Sequence, residues 1–310
     1  MTSSPQPDHT FAWTSYLSLA ASMALVGGYV GFSKLLVTVF PLFLLMLLRF
    51  GIAAVAMLPW SRRQPGEAGL SRHDRWLLFL ESFFGNFLFS LCMLWGMSLT
   101  SALAAGVIMA ALPGVVALLS RVFLGERIAP RVLAGLSCAV AGIALVSFSR
   151  HAEAADAGSL LGNLMLFGAV TCEAIYVVIG KKLTAQVSPR RISALINLWG
   201  LVLVAPLGLW QARSFDFAPV STLSWLQLGF YAIAASVVTV WLWMTGLKHV
   251  PASSAGVFTV LLPVSAAAVG VLFLGESISG MQAAAFALAL AGVVLSTWPA
   301  RQANAGLAPV

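Results

Sequence analysis

Apolar residues along this chain fall in long runs rather than in the two-residue alternation of half-buried strands. Stretches of roughly 20 such residues recur down its whole length, and each is long enough to cross a hydrocarbon core of about 30 Å as a helix. They lie near 13–33, 41–58, 76–97, 101–120, 131–148, 160–180, 191–210, 223–244, 252–273 and 279–298. The pattern predicts an all-α integral membrane protein of ten transmembrane helices joined by short connections, with tails over 1–12 and 299–310. So little chain remains outside the spans that no soluble catalytic domain is expected.

Composition agrees: 60% of the residues are hydrophobic and 9% are charged, against about a quarter charged in soluble domains. No Lys or Arg precedes the first span, and its apolar run exceeds that of a secretory signal, so it is expected to stay in the mature protein. Cys92, Cys138 and Cys172 fall within spans at no metal-ligand spacing and read as small packing residues. The net charge of +7 informs through its distribution. Counting connections alternately, one side collects Arg62, Arg63, Arg72, Arg75, then Arg121, Arg127, Arg131, then Lys181, Lys182, Arg190, Arg191, then Lys248 and Arg301. The other side has Lys34, Arg150 and Arg213. Basic residues in short loops resist translocation, so the basic side is expected to be cytoplasmic, with both termini on it, in the inner or plasma membrane.

The tetrapeptide Phe-Leu-Gly-Glu occurs at 123–126 and again at 273–276, an offset of 150. The same offset relates Ala105-Gly106-Val107 to Ala255-Gly256-Val257, Leu112-Pro113 to Leu262-Pro263, and Ala141-Gly142 to Ala291-Gly292. Earlier in each half, Tyr29 and Lys34 match Tyr176 and Lys181 at an offset of 147. Each half then holds five spans, over 13–148 and 160–298, joined by an outer connection at 149–159. An odd number of spans inverts the second copy, an arrangement by which secondary transporters enclose a midplane site and rock about it. The tetrapeptide itself reads as a helix end and tight turn. Pro113 and Pro263 read as breaks facing a cavity.

Ten spans in two halves, the segment GVIMAALPGVVALLSRVFLGERI at 106–128 with its echo GVFTVLLPVSAAAVGVLFLGESI at 256–278, and LLRF at 47–50 resemble the EamA family of the drug/metabolite transporter superfamily. The resemblance implies cytoplasmic termini, a central cavity drawn mainly from helices one, three, four, six, eight and nine, and export of small metabolites, with amino-acid exporters the nearest function. The chain departs from the family pattern where Val26 precedes Gly27 and where Glu173 stands.

An ionisable residue at bilayer depth costs roughly 2.5–3.5 kcal/mol on insertion scales and so needs a reason. Arg49 is expected to be structural, bonding carbonyls or a carboxylate between helices outside the cavity. Glu173 is a candidate coupling or cation site, or else a partner of Arg49 or Lys182; Glu81 is a second candidate, or else pairs with Arg75. Neutral polar stripes at helical spacing mark Ser15, Ser18, Ser22 and Tyr29 on the first helix, Ser82, Asn86, Phe89, Ser90 and Met93 on the third, and Ser236, Thr239 and Trp243 on the eighth. From these, Ser22, Tyr29, Ser82, Asn86, Phe89, Thr239 and Trp243, with Pro113, Tyr176, Phe258 and Pro263, form the expected substrate-binding lining. The competing reading makes the hydroxyls interhelical glue, with Trp13, Trp60 and Trp298 as interfacial anchors. Gly27 and Gly31 suit packing within the bundle, and a monomer is expected.

His9, His73, His151 and His249 lie at span ends or in connections and no buried Asp pair exists, so an intramembrane enzyme is not expected. Neither a cofactor, a metal nor nucleic acid is implied; the partners are a small-molecule substrate and membrane lipids. A dianionic phosphate cargo would call for several deep basic groups, and only Arg49 is deep. Two readings stay open: export of amino acids, larger apolar and aromatic ones favoured, and proton-coupled efflux of lipophilic drugs or organic cations. The orientation is directly testable. Gln64→Cys is expected to react with a membrane-impermeant maleimide in inside-out vesicles and not in intact cells; labelling of intact cells would reverse the assignment.

Overall fold

A computed structural model describes residues 9–67, 69–99, 108, 111–149, 160–262, 264–265 and 280–297. Among the described residues all regular structure is helical. In chain order the helices are α1 (His9–Val39), α2 (Leu42–Ala56), α3 (Arg72–Ser82, running on through Phe83–Leu88 to Phe89–Leu99), α4 (Leu112–Phe123), α5 (Pro130–Ser149) and α6 (Leu160–Leu183). They continue as α7 (Pro189–Ser214), α8 (Thr222–His249), α9 (Ala252–Val257) with a 3₁₀ turn at Phe258–Val260, and α10 (Gly280–Thr297). By length and apolar composition, Arg72–Met93, Leu160–Leu183, Pro189–Ser214 and Thr222–His249 can each cross a membrane, and Leu42–Ala56 and Leu112–Phe123 are shorter apolar helices. The second Phe-Leu-Gly-Glu, Pro263 and Trp298 lie outside the described residues.

Two long helices carry the same irregularity. In α3 the turn Phe83–Leu88 is a π turn, closed by Phe89 N–H donating to Phe84 C=O; in α8 the turn Ile233–Val238 is closed by Thr239 N–H donating to Ala234 C=O. The two begin 150 positions apart. The helices that hold them are capped at that offset too: Ser71 Oγ accepts from Asp74 N–H and Ser221 Oγ from Ser224 N–H, satisfying orphan amides of the first turn. A π turn inserts a residue and swings the following face by roughly 100°, so the polar positions of α3 do not share one stripe. Ser82 is buried while Phe89, Ser90 and Met93 are half-buried.

Glycines set the closest helix crossings. An added Cβ on Gly96 would come within 2.7 Å of Leu166 Cγ, joining α3 to α6, and on Gly246 within 2.6 Å of Leu19 Cγ and 2.7 Å of Ser15 O, joining α8 to α1. Without helix-to-helix hydrophobic drive in lipid, such close backbone approach is what holds neighbours together. The main core packs Leu19, Leu78, Val116, Val170, Val177 and Met244 between these helices, while α5 packs along α10 and α2 along α7.

The connections gather at two ends. At one, Glu67 accepts from Ser188 N–H (2.8 Å) and faces Arg191 (3.4 Å), and Lys181 Nζ donates to the C=O groups of Leu247 (2.8 Å) and Lys248 (3.1 Å) that end α8. There too α4 ends at Phe123, the chain turns through Gly125 at φ +65°, and Glu126 crosses to the start of α9. It accepts from Ala252 N–H (2.8 Å), Ser253 N–H (3.1 Å) and Ser253 Oγ–H (2.8 Å). The tetrapeptide is the helix end that the sequence predicts, and its Glu is in addition the cap of another helix. At the opposite end Leu44 N–H donates to Gln211 (2.9 Å), and Phe40 packs on Phe215 and Trp225.

Burial alone would raise the Glu67 carboxyl, but the amides of Ser188 and Gln64 and the Arg191 guanidinium outweigh it and hold the group below the usual range. A depressed folded value means stability that is present above the unfolded value of about 4.3 and is lost as pH falls through the folded one. Glu67→Gln is expected to lower the Tm in detergent at pH 7, with the gap to wild type closing below about pH 4; a gap constant across that range would deny Glu67 this role. Gly246→Ala, which forces a methyl against the Ser15 carbonyl, is expected to destabilise by about 1–3 kcal/mol in the same assay; an unchanged Tm would show that α1 and α8 part freely.

Candidate functional site

Deep polar groups converge where α1, α2, α3, α6 and α8 face one another. Tyr29 of α1 stacks edge-on against Tyr231 of α8, with ring centroids 5.5 Å apart. Its hydroxyl faces Thr239 and lies within electrostatic reach of Arg49 and Glu173. Arg49, the eighth of fifteen residues in α2, donates from Nη1 to the Tyr231 hydroxyl at 3.2 Å, and its guanidinium carbon sits 5.7 Å from the centre of the same ring. Across the cluster, Tyr176 of α6 packs on the bare Cα of Gly85 in the π turn of α3, within electrostatic reach of Glu81, Glu173 and Tyr29. Glu81 extends toward Gly180, where an added Cβ would meet its Oε1 at 2.7 Å.

The two carboxylates differ in surroundings. Glu81 is fully buried, and neither of its oxygens has a hydrogen-bond partner among the described residues. Glu173 is half-buried, between Cys172 and Ala174, which are buried. Among the described residues neither is ion-paired; the salt bridge there is Arg191–Glu67. The expected alternatives of Glu81 with Arg75, and of Glu173 with Arg49 or Lys182, are therefore not realised. Arg49 does bond between helices, but its partner is neither a carbonyl nor a carboxylate: it is the hydroxyl of Tyr231, a tyrosine that packs on Tyr29.

Other candidate residues divide by what they touch. Ser22 Oγ donates to Thr239 C=O at 2.9 Å and Ser82 Oγ to Ile196 C=O at 2.8 Å, so both hydroxyls tie one helix to another. Asn86 donates to Ser82 Oγ at 3.2 Å and is half-buried beside Phe89. Trp243 and Phe258 are 3% and 2% exposed and belong to the main core, Phe258 stacked on Tyr16. The Trp243 indole N–H and the Ser236 hydroxyl have no partner among the described residues. Pro113 is the second residue of α4 and buried. Tyr231 belongs to none of the polar stripes in the sequence, although it lies 150 positions after Glu81. Among the described residues no group of His, Cys, Asp and Glu is placed to hold a metal ion.

A helical bundle of lipid-length apolar helices with ionisable groups buried between them is the build of a multi-pass membrane transporter. The chain belongs to the EamA-like transporter family, whose pattern matches residues 13–148 and again 160–298. It is 33% identical over 293 residues to the uncharacterized transporter YetK of Bacillus subtilis, covering 94% of this chain and 89% of that one. A probable terminal-alkyne amino-acid exporter of Streptantibioticus cattleyicolor is 28% identical over 65% of this chain and 66% of its own, and the threonine/homoserine exporter RhtA of Salmonella typhimurium 28% over 46% and 47%. A solved crystal structure superposes with a TM-score of 0.72 over 91% of this chain and 96% of its own at 20% identity, a likeness of fold. These relatives point to a transporter rather than an enzyme.

Proposed function

We propose that this chain exports amino acids, larger apolar and aromatic ones favoured, by alternating access between two inverted five-helix repeats, over 13–148 and 160–298, in the inner or plasma membrane. The basic connections at one end of the bundle support a cytoplasmic placing of that end and of both tails, 1–12 and 299–310, with 149–159 outside. Supporting the repeat are paired features at matched offsets. The π turns and the capping serines lie 150 positions apart. The contact of Gly96 with Leu166 has its counterpart in Gly246 with Leu19, where the glycines are 150 and the leucines 147 positions apart. A bundle with such internal symmetry can exchange the roles of its halves and so open to either side.

The observation that carries the cargo assignment is the half-buried, unpaired Glu173 beside Tyr29 and Tyr176. A carboxylate with no basic partner suits a substrate ammonium, while hydroxyls and aromatic rings suit the rest of an amino acid. Two relatives named as amino-acid exporters point the same way. A second reading, proton-coupled efflux of organic cations, is favoured by Glu81, a buried carboxylate without a partner that suits a proton carrier. In both readings the protein acts as a monomer on a small-molecule substrate.

The deciding experiment is uptake of a radiolabelled amino-acid panel into proteoliposomes preloaded with unlabelled amino acids, with and without a pH gradient. Exchange without a gradient is expected, and Glu173→Gln is expected to slow it about tenfold or more, equivalent to at least 1.4 kcal/mol of lost interaction, with an unchanged Tm. No exchange of any amino acid by folded protein, together with gradient-driven efflux of an organic cation, would replace this reading with the second.

A further inference from the structure

We propose that Arg49, presented by Tyr231, is the residue that reads the substrate's carboxylate, so that the site has a cationic and an anionic pole and selects zwitterions. The inference rests on the amino-acid reading above and assigns to Arg49 a role beyond the structural one its position in the sequence suggests.

Among the described residues Arg49 has no counter-ion. Arg49 lies midway along an apolar helix, is half-buried, and has a buried Nε with no partner. Among the described residues its polar partner is the neutral phenol of Tyr231, and it is in no ion pair. A guanidinium taken out of water is stabilised by a carboxylate, ideally bidentate, and the chain leaves that place open. Tyr231 helps in two ways. Its oxygen accepts from Nη1, which steers the guanidinium toward Tyr29, and its own hydroxyl hydrogen stays available to a second carboxylate oxygen.

The residues of this cluster have counterparts in the other half at the offsets of the repeat. Tyr29 corresponds to Tyr176 at an offset of 147, Tyr231 to Glu81 at 150, and Arg49 to Ile196 at 147. One cluster is therefore Arg49, Tyr231 and Tyr29; its counterpart is Ile196, Glu81 and Tyr176, with Glu173 nearby where the first half has Val26. Equivalent niches in the two halves thus carry opposite charges. A cation carrier would gain nothing from a fixed guanidinium, and an anion carrier nothing from two carboxylates. A substrate bearing both charges uses both, with its ammonium at Glu173 and its carboxylate at Arg49.

The test compares an amino acid with its carboxamide, which keeps the ammonium and lacks the carboxylate. Binding of L-phenylalanine and of L-phenylalaninamide to the full-length protein in detergent is measured by calorimetry, for wild type and for Arg49→Gln, Arg49→Lys and Tyr231→Phe, each first checked for an unchanged Tm. Wild type is expected to prefer the acid by about tenfold or more; Arg49→Gln should weaken the acid by that factor and leave the amide within about twofold, removing the preference. Arg49→Lys should retain part of the preference, because it keeps the charge and loses the fork, and Tyr231→Phe should reduce it several-fold. Equal weakening of acid and amide, or no change in either, would make Arg49 structural and overturn the inference while leaving the proposed function standing. If Arg49→Gln does not fold, an acid preference untouched in both Arg49→Lys and Tyr231→Phe overturns it as well. If wild type binds neither phenylalanine nor any amino acid of the transport panel, the proposed function falls and this inference with it.

Discussion

Every backbone N–H and C=O inside a bilayer must find its partner within the protein, since lipid offers none. That requirement explains why all the regular structure of the described residues is helical and why the π turns come with a local remedy. Within the π turns the ladder closes one residue wider, through Phe84 and Ala234. Around them side chains engage backbone carbonyls: Asn197 donates to Ser236 C=O, Ser22 to Thr239 C=O and Ser82 to Ile196 C=O. The irregular turns thus lie beside side chains able to satisfy them, and the deep polar cluster forms in the same layer.

Close packing places that cluster. Gly96 and Gly246 let α3 meet α6 and α8 meet α1 at near-contact of backbones, and Gly85 makes room for the Tyr176 ring. With those crossings fixed, Tyr29 and Tyr176 are brought into each other's field, and the charged side chains of α2, α3 and α6 are held around them. Packing by glycine and bonding by serine are therefore conditions for the electrostatics of the site, and the hydroxyls of Ser22 and Ser82 serve it from a distance.

Much of this was legible in the sequence because lipid imposes simple rules. Apolar run length marked the four described helices long enough to cross a membrane, and Ser71 and Ser221 stand at the same offset as the two Phe-Leu-Gly-Glu segments. The stripe on α3 was less legible: grouping Ser82 with Phe89 and Met93 assumes 3.6 residues per turn, and nothing in FFGNFL announces a wider turn. Partners were least legible of all. Hydropathy marks Arg49 as costly without saying what meets it, and Tyr231 stood out in no polar stripe. Glu126 looked like a residue at a wet boundary because its partners are main-chain amides some 126 positions later, which no side-chain pattern can flag.

Glu126 gathers three donors from the first two residues of α9 on one carboxylate, within the field of Lys181, which itself holds the end of α8. Bonds that share one acceptor group cannot be surrendered one at a time without leaving a carboxylate or amides unsatisfied. At this end of the bundle one carboxylate therefore serves three donors, and its loss would leave the two amides and the hydroxyl at the start of α9 without that partner together. The start of α9 is thus fastened to the end of α4 by a single side chain, so one residue joins two helices far apart in the chain.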